Sequence, residues 1–283
     1  MNFRNNKANI FIPGGTPLAE ALKRTTTLCI AAHQDDTEIM AFHAIAECYD
    51  DPKKAFGSVI VTDGAGSPRA GIYKDYTDEE MKKARLEEQK LAAQIGRYAV
   101  LLQLLYTSGQ VKDPGNKDIL LDIQDILEAC APETVITHNP ADKHDTHVAV
   151  ALRTIAAIRK MDAQLRPKKL YGMEVWRNLD WLCDEDKQVF DASAHPNIAA
   201  ALLGVFDSQI CGGKRYDAAA LGRRTANATF FGDHHVDDAE AAAFGLDMTE
   251  MIENPVISPA EFIGKYIDGF RNDVKTKISR LER

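Results

Sequence analysis

Two short motifs contain residue types that bind catalytic metal ions. The first is H-Q-D-D at residues 33–36, where a histidine and a carboxylate, His33 and Asp36, lie three positions apart in a tight turn. The second is H-D-T-H at residues 144–147, at the start of a predicted helix. His144 and His147 share one face of that helix because residues three apart are neighbours on a helical surface.

A catalytic zinc takes three protein ligands and leaves a fourth position for water. His33, Asp36 and one of the two later histidines would supply such a set. Asp35 and the remaining histidine would then be free for acid–base work, which is the division that metal-assisted hydrolysis requires. Taken singly, a buried histidine is more often a hydrogen-bonded core residue, and an aspartate after a strand is often a helix cap. The two motifs together favour a metal site.

Alternating strands and helices are expected to position these motifs. Continuous β-prone runs, typical of strands buried on both faces of a parallel sheet, occur at residues 25–32, 56–62, 98–105, 134–137 and 171–176. Helices are predicted at 77–95, 118–130, 144–160, 197–206, 216–230 and 259–283. The alternation predicts an α/β fold with a mostly parallel sheet and helices on both faces. We expect a single domain over residues 1–283, with a core of about 25–180 and a C-terminal extension of about 181–283.

The helix at residues 77–95 shows the clearest local signals. Thr77 and Glu80 form a capping box at its start. Arg85 and Glu88 lie on or beside the apolar stripe, and charged residues on a core-facing stripe need partners. They are therefore predicted to form an internal ion pair beneath the site. The predicted stripe consists of Met81, Ala84, Leu91 and Ile95.

Three polar clusters directly follow predicted strands. They are H-Q-D-D at 33–36, T-D-G-A-G-S at 62–67 and T-H-N-P at 137–140, which leads to His144. In open parallel sheets, ligands bind outside the carboxyl ends of the strands. All three clusters are therefore expected to meet at one edge of the sheet.

Composition excludes several classes of protein. The 283 residues carry a formal net charge of −8, which argues against a nucleic-acid binder. No apolar run approaches the roughly 20 residues of a membrane helix, and the first ten residues lack a secretory signal. The five cysteines form no C-x-x-C pair, which predicts free thiols in a reducing cytoplasm.

The motifs together resemble the signatures of the PIG-L/LmbE-like deacetylases. A-H-Q-D-D at 32–36 resembles the family's A-H-P-D-D, and H-D-T-H at 144–147 resembles its H-x-D-H. T-D-G at 62–64 resembles its T-x-G loop, and R-L-E-E at 85–88 resembles its R-x-x-E. The matches follow the family order and span residues 25–160.

Members of this family are mostly zinc-dependent enzymes with a Rossmann-like fold that remove the acetyl group from N-acetylglucosamine-type amides. The resemblance implies that His33, Asp36 and His147 bind Zn²⁺, although imidazole and carboxylate also suit Fe²⁺. It implies that Asp35 is the general base and that His144 is the second acid–base and oxyanion-stabilising group. The expected partner is a small N-acetylated sugar or glycoconjugate, without nucleic acid or a membrane span.

Further residues are predicted to contact or support the substrate. Asp63 could hold the sugar or cap its own loop. Backbone N–H groups of the loop at Gly64 could approach a sugar hydroxyl or a phosphate, and a plain turn explains this loop equally well. Arg85 could reach the substrate, whereas Glu88 is expected to have a structural role. Trp176 could stack on a sugar ring or pack in the core.

Three positions depart from the family pattern. Gln34 stands where the family has Pro, and Thr37 stands where it usually has Glu. Thr146 occupies the place of the aspartate that orients the catalytic histidine. Asp145 or Asp142 could take over that orienting role, and the sequence does not choose between them.

Two other function classes remain as alternatives. Thr146 motivates a non-catalytic sugar- or metal-binding protein on the same fold. A nucleotide-binding Rossmann protein is disfavoured because no G-x-G-x-x-G follows the first strand. The cluster around His234 and His235 could be a second metal site or a substrate rim, although such polar loops are usually solvated. The C-terminal region could also serve a homo-oligomer interface.

Overall fold

The computed structural model describes residues 1–232 and 236–282, so the cluster at His234 and His235 lies outside the described residues. The strands are β1 (Asn9–Phe11), β2 (Thr27–Ala31), β3 (Phe56–Thr62), β4 (Val100–Tyr106), β5 (Thr134–His138), β6 (Lys169–Met173), β7 (Gln188–Asp191) and β8 (Ala242–Asp247). The helices are α1 (Leu18–Arg24), α2 (Asp36–Met40), α3 (Phe42–Asp50), α4 (Asp78–Ile95), α5 (Ser108–Lys112), α6 (Asp118–Cys130), α7 (Asp145–Lys160), α8 (Pro196–Gly204), α9 (Asp207–Ile210), α10 (Tyr216–Phe231), α11 (Thr249–Glu253) and α12 (Pro259–Leu281).

A single eight-stranded sheet, in the order β1-β4-β3-β2-β5-β6-β8-β7, organises the described residues. The five central strands β4, β3, β2, β5 and β6 pair in parallel. The strands β1, β8 and β7 add antiparallel pairs at the two sides. The predicted α/β fold with a mostly parallel sheet is therefore confirmed.

The continuous apolar runs arise because both faces of the central strands are covered by helices. In β2, Leu28 and Ile30 pack into a core with α1, α6 and α7, whereas Cys29 and Ala31 pack into a second core with α3, α4 and α8. Successive side chains of a strand point to opposite faces, so a strand covered on both sides needs apolar residues at every position. All five residues of β2 are buried.

Three strands were not expected from the sequence. The strand β1 has only three residues, and β7 alternates half-buried with exposed side chains. The strand β8 reads A-A-F-G-L-D, which is rich in residues of low strand propensity. It is a strand because β6 and β7 pair with it on its two sides. Residues after about 180 therefore complete the same sheet that begins with the N-terminal strands.

The helix α4 begins as predicted but turns a different face inward. The capping box of Thr77 and Glu80 is present. Leu91, expected on the buried stripe, is 46% exposed. Arg85 and Gln89 are buried instead, because the carbonyl of Gln34 in the loop after β2 and the carboxylate of Glu38 in α2 need donors. The predicted stripe was wrong at Leu91 since apolar periodicity does not detect polar partners from another part of the chain.

No described helix combines the length and the apolar character needed to cross a membrane. All five cysteines are free.

The two-sided core predicts a large difference between two apolar truncations. Ile30→Ala removes a fully buried side chain from β2 and should lower the free energy of unfolding by about 2–5 kcal/mol. Leu91→Ala removes an exposed side chain from α4 and should cost less than about 1 kcal/mol. Urea titrations with an unchanged slope measure both values. Equal losses in the two variants would contradict the assignment of Leu91 to the surface.

Candidate metal centre and active site

The candidate site lies where the order of the strands reverses. From β2 the chain proceeds outward through β3 and β4, and it then returns to place β5 on the other side of β2. Such a switch point opens a crevice at the carboxyl ends of the neighbouring strands. The loop after β2 carries His33, Asp35 and Asp36, and the loop after β5 leads to His144 and His147. The two predicted motifs therefore meet as expected.

Three side-chain atoms in this crevice form a triangle of the size that a metal ion requires. His33 Nδ1 lies 3.1 Å from Asp36 Oδ2 and 3.1 Å from His147 Nε2. The third side, from His147 Nε2 to Asp36 Oδ2, is 3.3 Å. A tetrahedral zinc with bonds of 2.0–2.1 Å separates its ligand atoms by about 3.3 Å. The chemistry and spacing of these three residues thus fit one metal ion.

Asp142 orients His147 toward this triangle. His147 Nδ1 lies 3.3 Å from Asp142 Oδ2, which favours the hydrogen on Nδ1 and leaves the lone pair of Nε2 for a metal. The Asp142 carboxylate also accepts the backbone N–H groups of His144 and Trp176, at 3.0 and 3.1 Å. Asp145, one of the two candidates for orienting the catalytic histidine, is exposed in the first turn of α7. Asp142 contacts His147 through its ring and His144 only through the backbone N–H, so the orientation of the His144 ring stays a prediction.

Two other groups of residues fit a metal less well: His33, His144 and His147, and Asp36, His138 and His147. The His138 Nε2 atom already accepts the backbone N–H of Ala32 at 2.9 Å, so its lone pair is used. The His144 Nδ1 atom accepts the N–H of Thr146 at 3.3 Å. Within each of these two groups, the possible ligand atoms lie within 4.8 Å of one another.

The charges around Asp36 stabilise a cation at this point. Burial alone would raise the pKa of Asp36, but His147 and His138 lower it well below its usual value. Burial alone would lower the pKa of His147, but Asp36 and Asp142 raise it to about 9. When no metal is bound, His147 is therefore protonated at neutral pH and supplies the positive charge beside Asp36.

Asp35 is placed beside the triangle by an unusual backbone conformation. Its φ is 81°, in the left-handed region, and Gln89 Oε1 accepts its backbone N–H at 3.1 Å. Its Oδ2 accepts from Arg85 Nη2 at 3.0 Å. Burial raises the pKa of Asp35 to about 7, against the opposing charge of Arg85. A carboxylate poised near neutrality, in a cavity, suits general acid–base chemistry.

A network of buried hydrogen bonds supports the left-handed backbone conformation of Asp35. Glu38 Oε1 accepts from Gln89 Nε2 at 2.8 Å and from the Tyr98 hydroxyl at 2.6 Å. Burial raises the pKa of Glu38 to about 7. Thr37 bonds to Ser58 at 2.9 Å, so Thr37, at the family's Glu position, and the neighbouring Glu38 both have structural partners. The network connects α4 to the loop that carries the candidate ligands His33 and Asp36.

His144 lines the cavity and stacks on His147, with ring centroids 4.6 Å apart. Burial, reinforced by the charges of His147 and His33, lowers its pKa to about 4. The neutral ring accepts the Thr146 N–H on Nδ1, so it carries its hydrogen on Nε2. His144 can therefore donate a hydrogen bond in its neutral form.

The predicted ion pair beneath the site connects three parts of the chain. Arg85 is 2% exposed and donates to the carbonyl of Gln34 as well as to Asp35. Its Nη1 lies 3.6 Å from Glu88 Oε2. The two Glu88 oxygens accept the backbone N–H and the hydroxyl of Ser208, at 2.6 and 2.7 Å. Glu88 therefore secures α4 to α9, while Arg85 also lines the cavity.

The loop after β3 contributes Gly64 to the cavity wall. Gly64 has φ +74°, and a Cβ there would lie 2.6 Å from the Gln34 side-chain oxygen, so only glycine fits. Asp63 accepts the N–H of Ala65 at 3.2 Å and lies 3.3 Å from Lys82 Nζ. Its carboxylate thus caps the loop, one of the two roles expected for it, and contact with a substrate stays a prediction.

The cavity has a volume of about 560 Å³, and residues after position 170 form much of its wall. Sequence reasoning did not assign these wall residues, apart from Trp176, because no local motif marks them. His138 was likewise unassigned, although it belongs to the T-H-N-P cluster. The wall residues from this part of the chain are Val175, Trp176, Gln209, Lys214, Tyr216, Ala219, Ala220 and Arg223.

The geometry makes a prediction about metal content. His147→Ala removes a candidate ligand and should abolish stoichiometric metal binding. Asp142→Asn removes the orienting carboxylate and should weaken the affinity by about 10- to 100-fold. Asp145→Asn, an exposed change of the same type, is the matched control and should leave the affinity unchanged. Elemental analysis and chelator competition measure these values, and equal effects at Asp142 and Asp145 would contradict the assignment.

The affinity for the metal should also depend on pH. A proton occupies His147 below a pKa of about 9 and must leave when a metal binds. Raising the pH toward 9 therefore strengthens binding, by about tenfold per pH unit for one displaced proton. Zinc titrations against a chelator at pH 6, 7 and 8 test this trend. An affinity that is constant over this range would show that His147 is not a ligand.

A known protein-family model matches the segment of the chain that contains the two motifs. Residues 28–158 match the family model described as PIG-L, GlcNAc-PI de-N-acetylase. No curated protein sequence matches the chain.

Solved structures share the fold at low identity. The N,N'-diacetylchitobiose deacetylase from Pyrococcus horikoshii is 15% identical, with a TM-score of 0.63 over 84% of this chain and 89% of that chain. GalB, the 4-carboxy-2-hydroxymuconate hydratase from Pseudomonas putida, is 19% identical, with a TM-score of 0.62 over 79% and 96%. The conserved protein TT1542 from Thermus thermophilus is 18% identical, with a TM-score of 0.62 over 78% and 94%. With its motifs assembled at the switch point, the chain resembles the PIG-L/LmbE-like family, and the PIG-L family model matches residues 28–158.

Proposed function

We propose that this protein is a metal-dependent hydrolase that removes the N-acetyl group from an amino sugar of the N-acetylglucosamine type. The observation that carries the proposal is the triangle of His33, Asp36 and His147 with Asp35 beside it in one cavity. The family description, a de-N-acetylase, supports the same reaction class. The fold by itself supports more than one chemistry, since one structural relative is a hydratase.

The proposed reaction is hydrolysis of an amide, which yields acetate and a free amine. A divalent metal held by His33, Asp36 and His147 would supply Lewis-acid polarisation of a carbonyl and would acidify water. Zn²⁺ is the ion that we propose, because two imidazoles, one carboxylate and an open fourth position are typical of catalytic zinc.

Asp35 performs the proton transfers in this proposal. With a pKa near 7, it takes a proton from water as the oxygen attacks the amide carbon. The same carboxyl group then returns the proton to the amide nitrogen as the carbon–nitrogen bond breaks. Arg85 holds the carboxylate at 3.0 Å throughout, and Gln89 holds its backbone.

His144 stabilises the charge that develops on the amide oxygen. Its Nε2–H can donate to that oxygen while the ring remains neutral. Loss of such a donor typically reduces the turnover by about 100- to 1,000-fold. The proposed donor is neutral because burial and the neighbouring histidines disfavour the protonated ring.

The test of this proposal uses Asp35→Asn, which keeps the size of the side chain and suits a left-handed backbone. The variant should retain its metal and lose at least about 100-fold in turnover, because the proton acceptor is gone. Release of acetate and free amine from N-acetylglucosamine and N,N'-diacetylchitobiose measures activity, and elemental analysis measures metal. Asp145→Asn serves as the control with unchanged activity.

Two results would count against the proposal. Full turnover in the Asp35→Asn variant would remove Asp35 from the mechanism. A wild-type protein that binds one metal ion but releases no acetate from any N-acetylated sugar would favour the non-catalytic binding protein instead.

A further inference from the structure

Three basic side chains that line the cavity form no close ion pair with a carboxylate of the described residues. They are Lys112, Lys214 and Arg223. Among the residues that the structure describes, no Asp or Glu lies in an ion pair with any of them. The whole chain has a net charge of −8, so three cations without a close acid in this cavity contrast with the overall charge of the molecule.

Two of these cations lie on the segment of wall that is next to His144. Lys214 Nζ lies 5.2 Å from the ring centroid of Trp176, and the Trp176 ring lies 5.9 Å from the ring of His144. Arg223 donates from Nη1 to the carbonyl of Val175. We call Trp176, Lys214 and Arg223 the basic lip.

The carboxylates near the cavity do not neutralise the basic lip. Asp35 is paired with Arg85 at 3.0 Å, and Asp36 faces the histidines of the triangle. Glu174 is attracted to Arg223, but it is buried, and its oxygens accept hydrogen bonds from other groups. Lys214 has its ring contact with Trp176 and no acid partner among the described residues. The lip therefore presents excess positive charge to whatever fills the cavity.

We propose that the substrate of this site carries an anionic group, a carboxylate or a phosphate, which binds to Lys214 and Arg223 while its acetamide lies at the metal centre. This inference rests on the proposed function for the identity of the reacting group. A carboxylate or phosphate would make charge-assisted hydrogen bonds to the two cations, which are stronger than neutral ones. Both residues lie outside the matched segment 28–158, so this chain's own C-terminal third would select the substrate.

The experiment measures binding separately from catalysis. Metal-loaded protein in the Asp35→Asn background is titrated calorimetrically with three probes: N-acetylglucosamine, N-acetylglucosamine 6-phosphate and N-acetylmuramic acid, which carries a carboxylate. At least one anionic probe should bind about tenfold or more tightly than the neutral sugar. The preference should shrink as the salt concentration rises, because the charges are screened. The tighter of the two anionic probes identifies phosphate or carboxylate as the source.

Matched variants locate the group that recognises the anion. Lys214→Gln with Arg223→Gln should abolish the anionic preference and leave the affinity for N-acetylglucosamine within about threefold. Lys275→Gln with Arg280→Gln removes the same two charges from the exposed part of α12 and should leave the preference intact. Arg223→Lys retains the charge and should keep part of the preference. Thermal unfolding of each variant confirms that it is folded.

Three outcomes would overturn the inference. They are equal affinities for neutral and anionic probes, no binding of either anionic probe at millimolar concentration, and a preference that survives the double variant of the lip. The last result would place the anion on the metal instead. Acetate release by the wild-type protein is measured independently. If the protein with an intact lip shows no preference for the anionic probes and the wild type hydrolyses the amide normally, only this inference is rejected. If the preference is present but the wild type releases no acetate, only the proposed reaction is rejected.

Discussion

The buried charge of Asp36 is the constraint on which the rest of the site depends. A carboxylate without solvent is costly unless it is paired and hydrogen-bonded. Asp36 Oδ2 accepts the backbone N–H of His33 at 2.7 Å and lies 3.3 Å from His147 Nε2 and 3.5 Å from His138 Nε2. His33 follows β2 and His147 lies in α7, which follows β5, whereas His138 Nε2 accepts the Ala32 N–H and donates nothing to Asp36. One ionised oxygen thus holds together the two loops that form the crevice, and it creates the demand for a cation there.

A second layer of polar contacts holds Asp35 in a conformation that an isolated chain would avoid. A left-handed non-glycine residue costs on the order of 1–3 kcal/mol and persists only where its surroundings determine it. Here Gln89 binds the backbone N–H, Arg85 binds the carboxylate, and Glu38 holds Gln89 in turn. The inward polar face of α4 is therefore explained by the loop that it supports. The helix α4 therefore positions Asp35, the proposed base, and also packs against one face of the sheet.

The chain divides its tasks between two regions of the sequence. The three atoms of the metal triangle and Asp35 all belong to the segment that matches the family, residues 28–158. Much of the cavity wall, including Trp176 and Tyr216, comes from residues that follow it. Since β8 lies between β6 and β7, this later region is built into the same sheet rather than appended to it. The candidate catalytic groups and much of the wall around them thus come from different parts of the chain but share one sheet.

Local sequence determined the features whose physical cause is itself local. The buried runs of β2 and β3, the capping box of α4, and the spacing of His33 with Asp36 could all be predicted, because each depends on neighbours within a few residues. The meeting of the two metal motifs also followed, since parallel strands bring their carboxyl ends to one edge.

Only the tertiary structure decided the contacts between distant parts of the chain. Asp142 rather than Asp145 supports His147, because Asp145 lies on the exposed side of α7 while Asp142 precedes the helix and reaches the ring. The inward face of α4 and the strand β8 were set by partners about 50 or more residues away along the chain. Periodicity and propensity describe which residues prefer burial, whereas hydrogen bonds and ion pairs between remote segments decide which polar groups can be buried.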